Sequence, residues 1–397
     1  MRELLSVNRQ KLNDLLGDNP PRRDTWLIKC RRLREIVGNL PSNQIISTSI
    51  PEGHSNLLLI NINIKAHAIM QLIRGTVMDF NADNDPYQMQ FAEFLASNEL
   101  ALREAIMQRL VYGLGAVCVV GDKQSGWRLQ SISPNDLWWD CTTGDLMLPK
   151  WIARGYRDSN GNDYREVWYV DVFHRFKVGG ADVETQPNPY GVIPIVLFPA
   201  LYVPDTVYPI GDVELACPQQ FILDEIRRTY LNMARRGAGF FAVKRSSIDE
   251  SELSRLQNPD EVYILVNEQD AIVPIPTPAP NPEWQALEAL AKQDMDALMG
   301  ISEYVRGVLP TGRAKFATEV VAAVAGQTVR IQAEWYNTKV ALERLAMVYY
   351  KLHNPSGTAT PRALEDSITS VNQLMRAEMV SDTADGAVGN NPVAQSV

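Results

Sequence analysis

The sequence predicts an α+β protein in which helices at both ends enclose a β-rich middle and a helix pair carries a small inserted module. Three observations predict it. Apolar residues recur at three- and four-residue intervals early and late in the chain. Between about residues 114 and 198 they instead alternate, or form short blocks bounded by turn residues. Near residue 237 a long helical pattern stops on glycine, gives way to short strand-like runs and a proline series, and then resumes.

Each element has a local reason. Trp26, Cys30, Leu33 and Val37 make one stripe of a helix, with Lys29, Arg31, Arg32 and Arg34 spread over the remaining surface as a solvated face. A polar stretch, 41–55, precedes a second helix ending near Phe80, and 81–86 reads as a turn. Phe91, Phe94, Leu95, Leu102, Ile106 and Leu110 predict a single amphipathic helix over 91–112. Ala116-Val-Cys-Val-Val120 reads as a buried strand with 127–132 as its partner. Runs 151–156 and 166–173 flank Ser159-Asn-Gly-Asn162, an Asn-Gly hairpin signal.

A long helix then carries Pro218 near its first turn, where a missing N–H costs nothing, and ends at Gly237-Ala-Gly239. The module after it reads as a strand at 240–244, a short helix at 249–256, and strands at 262–266 and 271–275. Pro274, Pro276, Pro278, Pro280 and Pro282 follow at every second position and predict an extended strut. Helix resumes over 283–299, breaks at Gly300, and a loop over 305–315 leads to the longest helix, 318–352. Its stripe is Ile331, Trp335, Thr338, Leu342, Leu345, Tyr349 and Leu352. A weak helix is expected near 364–379, and a small polar tail from Ser381.

Composition narrows the function. The chain has 397 residues, 45% hydrophobic and 21% charged, enough for two or three domains. Its 38 basic and 47 acidic residues give a net charge of −9, whereas a protein that grips nucleic acid statically carries a basic excess. Weak or sliding contact is compatible with that balance. Cys30, Cys118, Cys141 and Cys217 are isolated, without a CxxC pair or a secretory signal, so free thiols and synthesis in a cytoplasm are expected. The longest apolar run, 57–62, is too short to span a bilayer, so a soluble protein without a membrane partner is expected.

Catalytic patterns fail one by one. Gly307-Val-Leu-Pro-Thr-Gly312-Arg313-Ala314 has P-loop glycine spacing but lacks the phosphate-reaching Lys and the magnesium-holding Ser or Thr, and it follows a helix. Gly113-Leu-Gly115 precedes a strand, so it is no dinucleotide fingerprint. Asp158-Ser-Asn-Gly-Asn-Asp163 resembles a calcium loop, yet Asp163 stands where that loop needs glycine, and a hairpin turn is the plainer reading. His54, His67, His174 and His353 are scattered, and no acid pair or Gly-x-Ser-x-Gly appears. The expectation is a protein that is not an enzyme and takes no cofactor or metal.

Charge is segregated. Residues 227–245 hold Arg227, Arg228, Arg235, Arg236, Lys244 and Arg245 and no acid, whereas 249–270 hold seven acids against Arg255. The helix from Glu283 is acidic apart from Lys292, and the loop after Gly300 is basic through Arg306, Arg313 and Lys315. Two readings stay open for the basic residues: pairing with acidic segments of this or a neighbouring chain, and contact with DNA.

In this order the pieces resemble the portal proteins of tailed bacteriophages. The likeness rests on Tyr112-Gly-Leu-Gly-Ala-Val-Cys-Val-Val120, then Ile132-Ser-Pro-Asn-Asp-Leu137 and Asn188-Pro-Tyr-Gly-Val-Ile-Pro-Ile-Val196. Tyr208-Pro-Ile-Gly-Asp-Val-Glu214 follows, with Gln219, Gln220 and Asn232 in the next helix and Ala317-Thr-Glu319 opening the last. It covers about residues 56–352 and leaves both ends uncovered.

The resemblance implies an N-terminal helical arm (1–55), a wing (56–212), stem helices (213–237 and 283–300) and a clip between them (238–282). It further implies a tunnel loop (301–317), a long wing helix (318–354) and a short crown or mobile tail (355–397). It implies a ring, usually of twelve subunits, at one capsid vertex of a virion, through which double-stranded DNA slides during packaging, retention and ejection. Its partners would be the large terminase, a head–tail adaptor, and the major capsid or scaffolding protein. Arg306, Arg313 and Lys315 would face the DNA, and Asp249, Glu250 and Glu252 would dock the motor and adaptor. The chain is short for that family, and its loop is shorter and more basic. A P-loop translocase and a tail or baseplate subunit are the competing readings.

Overall fold

The computed structural model describes residues 9–18, 20–38, 56–82, 86–122, 126–142, 146, 149–180, 182–204, 206–237, 240–243, 272–275, 282–301 and 317–353. The architecture is α+β with antiparallel sheets, as the sequence predicts. Helices α1 (Arg9–Asp18) and α2 (Arg23–Gly38) come first, and α2 buries the expected Trp26, Cys30, Leu33 and Val37. Arg31, Arg32 and Arg34 are exposed, while Lys29 bonds Glu214 at 2.7 Å. Helix α3 (Leu57–Ala82) buries Leu58, Ile62, Ala66, Ile69 and Ile73.

The single helix expected over 91–112 is two, α4 (Pro86–Ser97) and α5 (Glu99–Tyr112). Asn98 breaks it. Its amide donates to Phe94 O at 2.8 Å and accepts from Leu129 N at 2.8 Å, so the side chain ties the joint to a neighbouring strand.

Strand β1 (Leu114–Asp122) lies between β2 (Gly126–Ser131) and β8 (Ile195–Pro199), antiparallel to both. Its side chains alternate as strand geometry requires. Val117 and Val119 join the helical core with Val196 and Phe198, while Leu114, Ala116 and Cys118 join a second cluster with Trp26, Trp139 and Ile152. Gly113 and Gly115 set this helix-to-strand junction. Gly113 ends α5 with φ +86°, and a Cβ there would lie 2.1 Å from Pro209 O; a Cβ on Gly115 would lie 2.0 Å from Ala105 O.

A five-stranded antiparallel meander follows: β3 (Leu137–Trp139), β4 (Trp151–Arg157), β5 (Asp163–Tyr169), β6 (Val172–Lys177) and β7 (Val183–Pro187). The β4–β5 turn is the predicted hairpin: Asp158 Oδ1 accepts from Asn160 N at 2.9 Å and Asn162 N at 2.8 Å. The strand expected over 166–173 is divided at Val170 and Asp171. There Asn188 takes the Tyr169 carbonyl with its amide and the Asp171 carbonyl with its N–H, so these groups leave the ladder. Helix α1 covers one face, packing Leu12 and Leu16 on Trp138, Trp151, Val167 and Phe176.

Helix α6 (Asp212–Gly237), strands β9 (Phe240–Val243) and β10 (Ile272–Ile275), and helices α7 (Pro282–Met299) and α8 (Ala317–His353) complete the chain. Pro218 lies in the second turn of α6, not the first, so the bond to the Glu214 carbonyl cannot form. Pro274 is accommodated in a ribbon of two strands among the described residues, where it stands opposite Phe241. Helix α8 buries Trp335, Thr338, Leu342, Leu345, Tyr349 and Leu352 of the predicted stripe, while the side chain of Ile331 lies outside the described ones. Pro282, expected in the extended strut, opens α7 instead, at a position where its missing N–H is unneeded. The strand at 262–266, the short helix at 249–256, Pro276, Pro278 and Pro280, the loop at 305–315, the weak helix near 364 and the polar tail lie outside the described residues.

Candidate functional site: the helix pair and its ribbon

Helices α6 and α7 pack antiparallel, since positions late in α6 meet positions early in α7. Tyr230 and Trp284 meet edge-to-face at 5.8 Å between ring centroids. Arg227 reaches Glu288 at 3.6 Å, and Lys292 bonds the same carboxylate at 2.7 Å. These two cations, Lys292 foremost, hold the Glu288 carboxyl below its usual range. Pairing between the basic end of α6 and an acidic neighbour, one of the two readings from sequence, is therefore realised at Arg227.

The pair is rooted in the main core. Val213, Ala216, Leu223, Ala291, Met295 and Met299 are buried there. Polar groups on α3 fix both helices at the same level. Lys65 and Asp212 form an ion pair at 2.8 Å with side chains only 1% and 6% exposed. Asn61 donates to Asp296 at 3.1 Å, and Leu58 N to Gln220 Oε1 at 3.4 Å. Nothing in the spacing of residues so far apart announces these contacts. A lysine set in the apolar run of α3 was the available signal.

Beyond the root, Tyr230 and Arg227 of α6 meet Trp284 and Glu288 of α7, and the far end carries the β9–β10 ribbon in register Phe240↔Ile275 and Val243↔Ile272. Asp249, Glu250 and Glu252 fall in the chain between these strands, and Arg306, Arg313 and Lys315 between α7 and α8. All six lie outside the described residues, so the structure does not place them. Of the acids on α7, Glu283 and Asp294 are exposed, and Glu288 and Asp296 are less so. Phe221, Ile222 and Leu231 on α6 and Leu287 and Leu290 on α7 are exposed, each at 39–52%.

Among the described residues no helix is long and apolar enough to cross a membrane, and no group of three or more His, Cys, Asp and Glu side chains is placed to hold a metal. All four cysteines are free.

No protein-family model matches the chain, and no curated protein matches it. Among solved structures it is similar to a chain in the virion of a native gene transfer agent particle, at TM-score 0.40 and 14% identity over 80% of this chain and 91% of that one. A chain in the neck of the empty particle, computed with C6 symmetry, aligns at TM-score 0.40 and 14% identity over 75% and 73% of the two chains. One in the neck of the native particle, computed with C12 symmetry, aligns at 0.38 and 14% over 70% and 81%.

Proposed function

We propose that the chain is one subunit of a ring-shaped portal channel in the virion of a tailed virus, a structural protein and not an enzyme. The observation that carries this reading is the antiparallel α6–α7 pair, rooted in the core by buried polar contacts and bearing a ribbon at its far end. That is the arrangement the motif order leads one to expect of a stem and clip.

The uncovered apolar side chains support a ring. Ile222 and Leu231 are exposed on opposite sides of α6, given about 100° of rotation per residue. A two-fold dimer buries one self-complementary patch, whereas a closed head-to-tail ring uses two different ones. In this reading Glu283 and Asp294 lend negative charge to a bore through which double-stranded DNA slides, and strong phosphate contacts are kept few. Arg306, Arg313 and Lys315 form a thin basic ring touching the backbone without reading sequence. Asp249, Glu250 and Glu252 dock the large terminase and later the head–tail adaptor, and the outer surface meets the major capsid or scaffolding protein.

Light scattering on the purified chain tests this, with the triple variant Phe221→Ser, Ile222→Ser, Leu290→Ser beside it. The expected result is a mass near a dozen subunits, or a monomer that assembles on concentration, and a variant that stays monomeric with the melting behaviour of the native monomer. A stable dimer, or native chains that never associate, would overturn the proposal.

A further inference from the structure

Where α1 meets the five-stranded sheet, one arginine of the helix and one of the sheet lie without an ion pair to any described carboxylate. Arg165 on β5 is the direct cross-strand partner of Phe176 on β6. Its guanidinium lies 4.9 Å from the centre of the Trp138 ring. Arg9, at the start of α1, lies over Phe176 at 5.6 Å, and its Nη1 is sealed from solvent without a hydrogen-bond acceptor. Phe176 thus carries Arg9 on its ring and Arg165 across the strand pair, and the two guanidiniums are near enough for their charges to interact. Burial, and after it the like charge of Arg9, pulls Arg165 below the ordinary arginine range.

The described surroundings do not cancel this charge. Arg23 sits 4.1 Å from the Trp138 ring centre and donates to the carbonyls of Leu137, Pro134 and Asn135, so it is anchored and adds a third positive charge. Asp136 is the carboxylate that bears on Arg165; it makes no ion pair with it and is shared with Arg23 and Arg157. Arg157 is held by Asp163 at 2.8 Å. The opposite face of the same sheet shows the contrast. There Arg154, Glu166, Arg175 and Glu184 stand in one cross-strand row, alternating in sign, with Arg154 and Glu166 at 2.9 Å. One face is neutralised residue by residue, and the other keeps two positive charges together.

Bringing two partly desolvated like charges together is unfavourable unless an anion lies between them. We propose that Arg9 and Arg165 form a binding site for a phosphate oxyanion. A phosphate dianion matches two guanidiniums that have no ion-pair partner among the described residues, whereas a carboxylate leaves one unmatched. The planar donor forks of arginine suit phosphate oxygens in the same way. Free phosphate and a nucleic-acid backbone offer this one chemistry, and the site does not depend on the channel reading.

The test melts the full-length chain with millimolar inorganic phosphate, and with chloride at matched ionic strength. A ligand that binds only the folded state raises the melting temperature by mass action. The rise is expected in the native chain and in Arg157→Gln, and is expected to vanish in Arg9→Gln and Arg165→Gln. A parallel arm measures binding of a short DNA duplex. If phosphate alone has no effect but duplex binding weakens in Arg165→Gln and not in Arg157→Gln, the site takes a backbone phosphate. Should the glutamine variants fail to fold, Arg165→Lys keeps the charge and loses the fork, and binding about tenfold weaker is expected. A native chain indifferent to phosphate and duplex alike, or a response that survives in the Arg9 and Arg165 variants, overturns the assignment.

Discussion

Replacing Lys65 by Met tests whether a buried ion pair holds the stem at its root. Lys65 Nζ and Asp212 Oδ2 are 2.8 Å apart, and neither side chain is more than 6% exposed. Methionine retains the length of the lysine stem, so packing changes little and the main consequence is a carboxylate left buried without its cation. Breaking such a pair from one side costs about 3–5 kcal/mol, whereas replacing both partners by apolar residues is often neutral. At about 2–4 °C per kcal/mol for a domain of this order of size, the single variant is expected to melt about 6–20 °C lower. The double variant Lys65→Met, Asp212→Leu is expected to recover most of that loss. Calorimetric melting of the three proteins side by side supplies the answer. A single variant within about 1 kcal/mol of the native chain would show that the pair contributes little. A double variant melting as low as the single one would show that lost packing, not the stranded charge, is responsible.

Three further outcomes are expected. Gly115→Ala forces a Cβ to 2.0 Å from Ala105 O, so α5 must shift off β1, and the variant should unfold at markedly lower denaturant concentration while Gly17→Ala, with open space around it, does so far less. Burial lowers the His174 pKa, so the unfolded chain binds the proton more tightly. The associated stability is complete above the ordinary imidazole value of about 6.5 and is lost as pH falls towards the folded value, so His174→Gln should flatten the loss of melting temperature between neutral and mildly acidic pH. Burial also pushes the Cys30 and Cys141 thiols up to about 12 and Cys118 up to about 11, so alkylation at mildly alkaline pH should be slow in the folded chain and fast in denaturant, as mass spectrometry of the alkylated peptides would register.

The parts of the fold that follow from one face of one element were legible in the sequence. The α2 stripe from Trp26 to Val37 and the α8 stripe from Trp335 to Leu352 are periodic because each helix lies along one core surface. The β4–β5 hairpin was legible because Asn160-Gly161 fixes its own turn. The breaks at Asn98 and at Val170-Asp171 were not, since in each the deciding hydrogen bonds come from groups remote in sequence: Leu129 N at the first, Asn188 at the second. The root of the helix pair was hidden for the same reason, because Lys65 and Asp212 have no local sign of being partners. Apolar residues recur along α6, but only the fold separates Ile226, which is buried, from Phe221 and Ile222, which are exposed.

Arg109 has a mechanical consequence. Buried at 1% exposure on α5, it bonds Pro199 O at the end of β8 and Thr338 Oγ1 on α8, and Asn337 beside it bonds Ala200 O. Helix α8 is therefore pinned part-way along its length, with its C-terminal portion embedded in the core and its N-terminal portion running back towards the end of the chain segment that follows α7. At about 1.5 Å per residue, Ala317 stands about 30 Å from that pin. A sideways force applied near Ala317 thus acts on a long arm about a short fulcrum, and the torque is delivered to the end of β8, the strand that leads into α6.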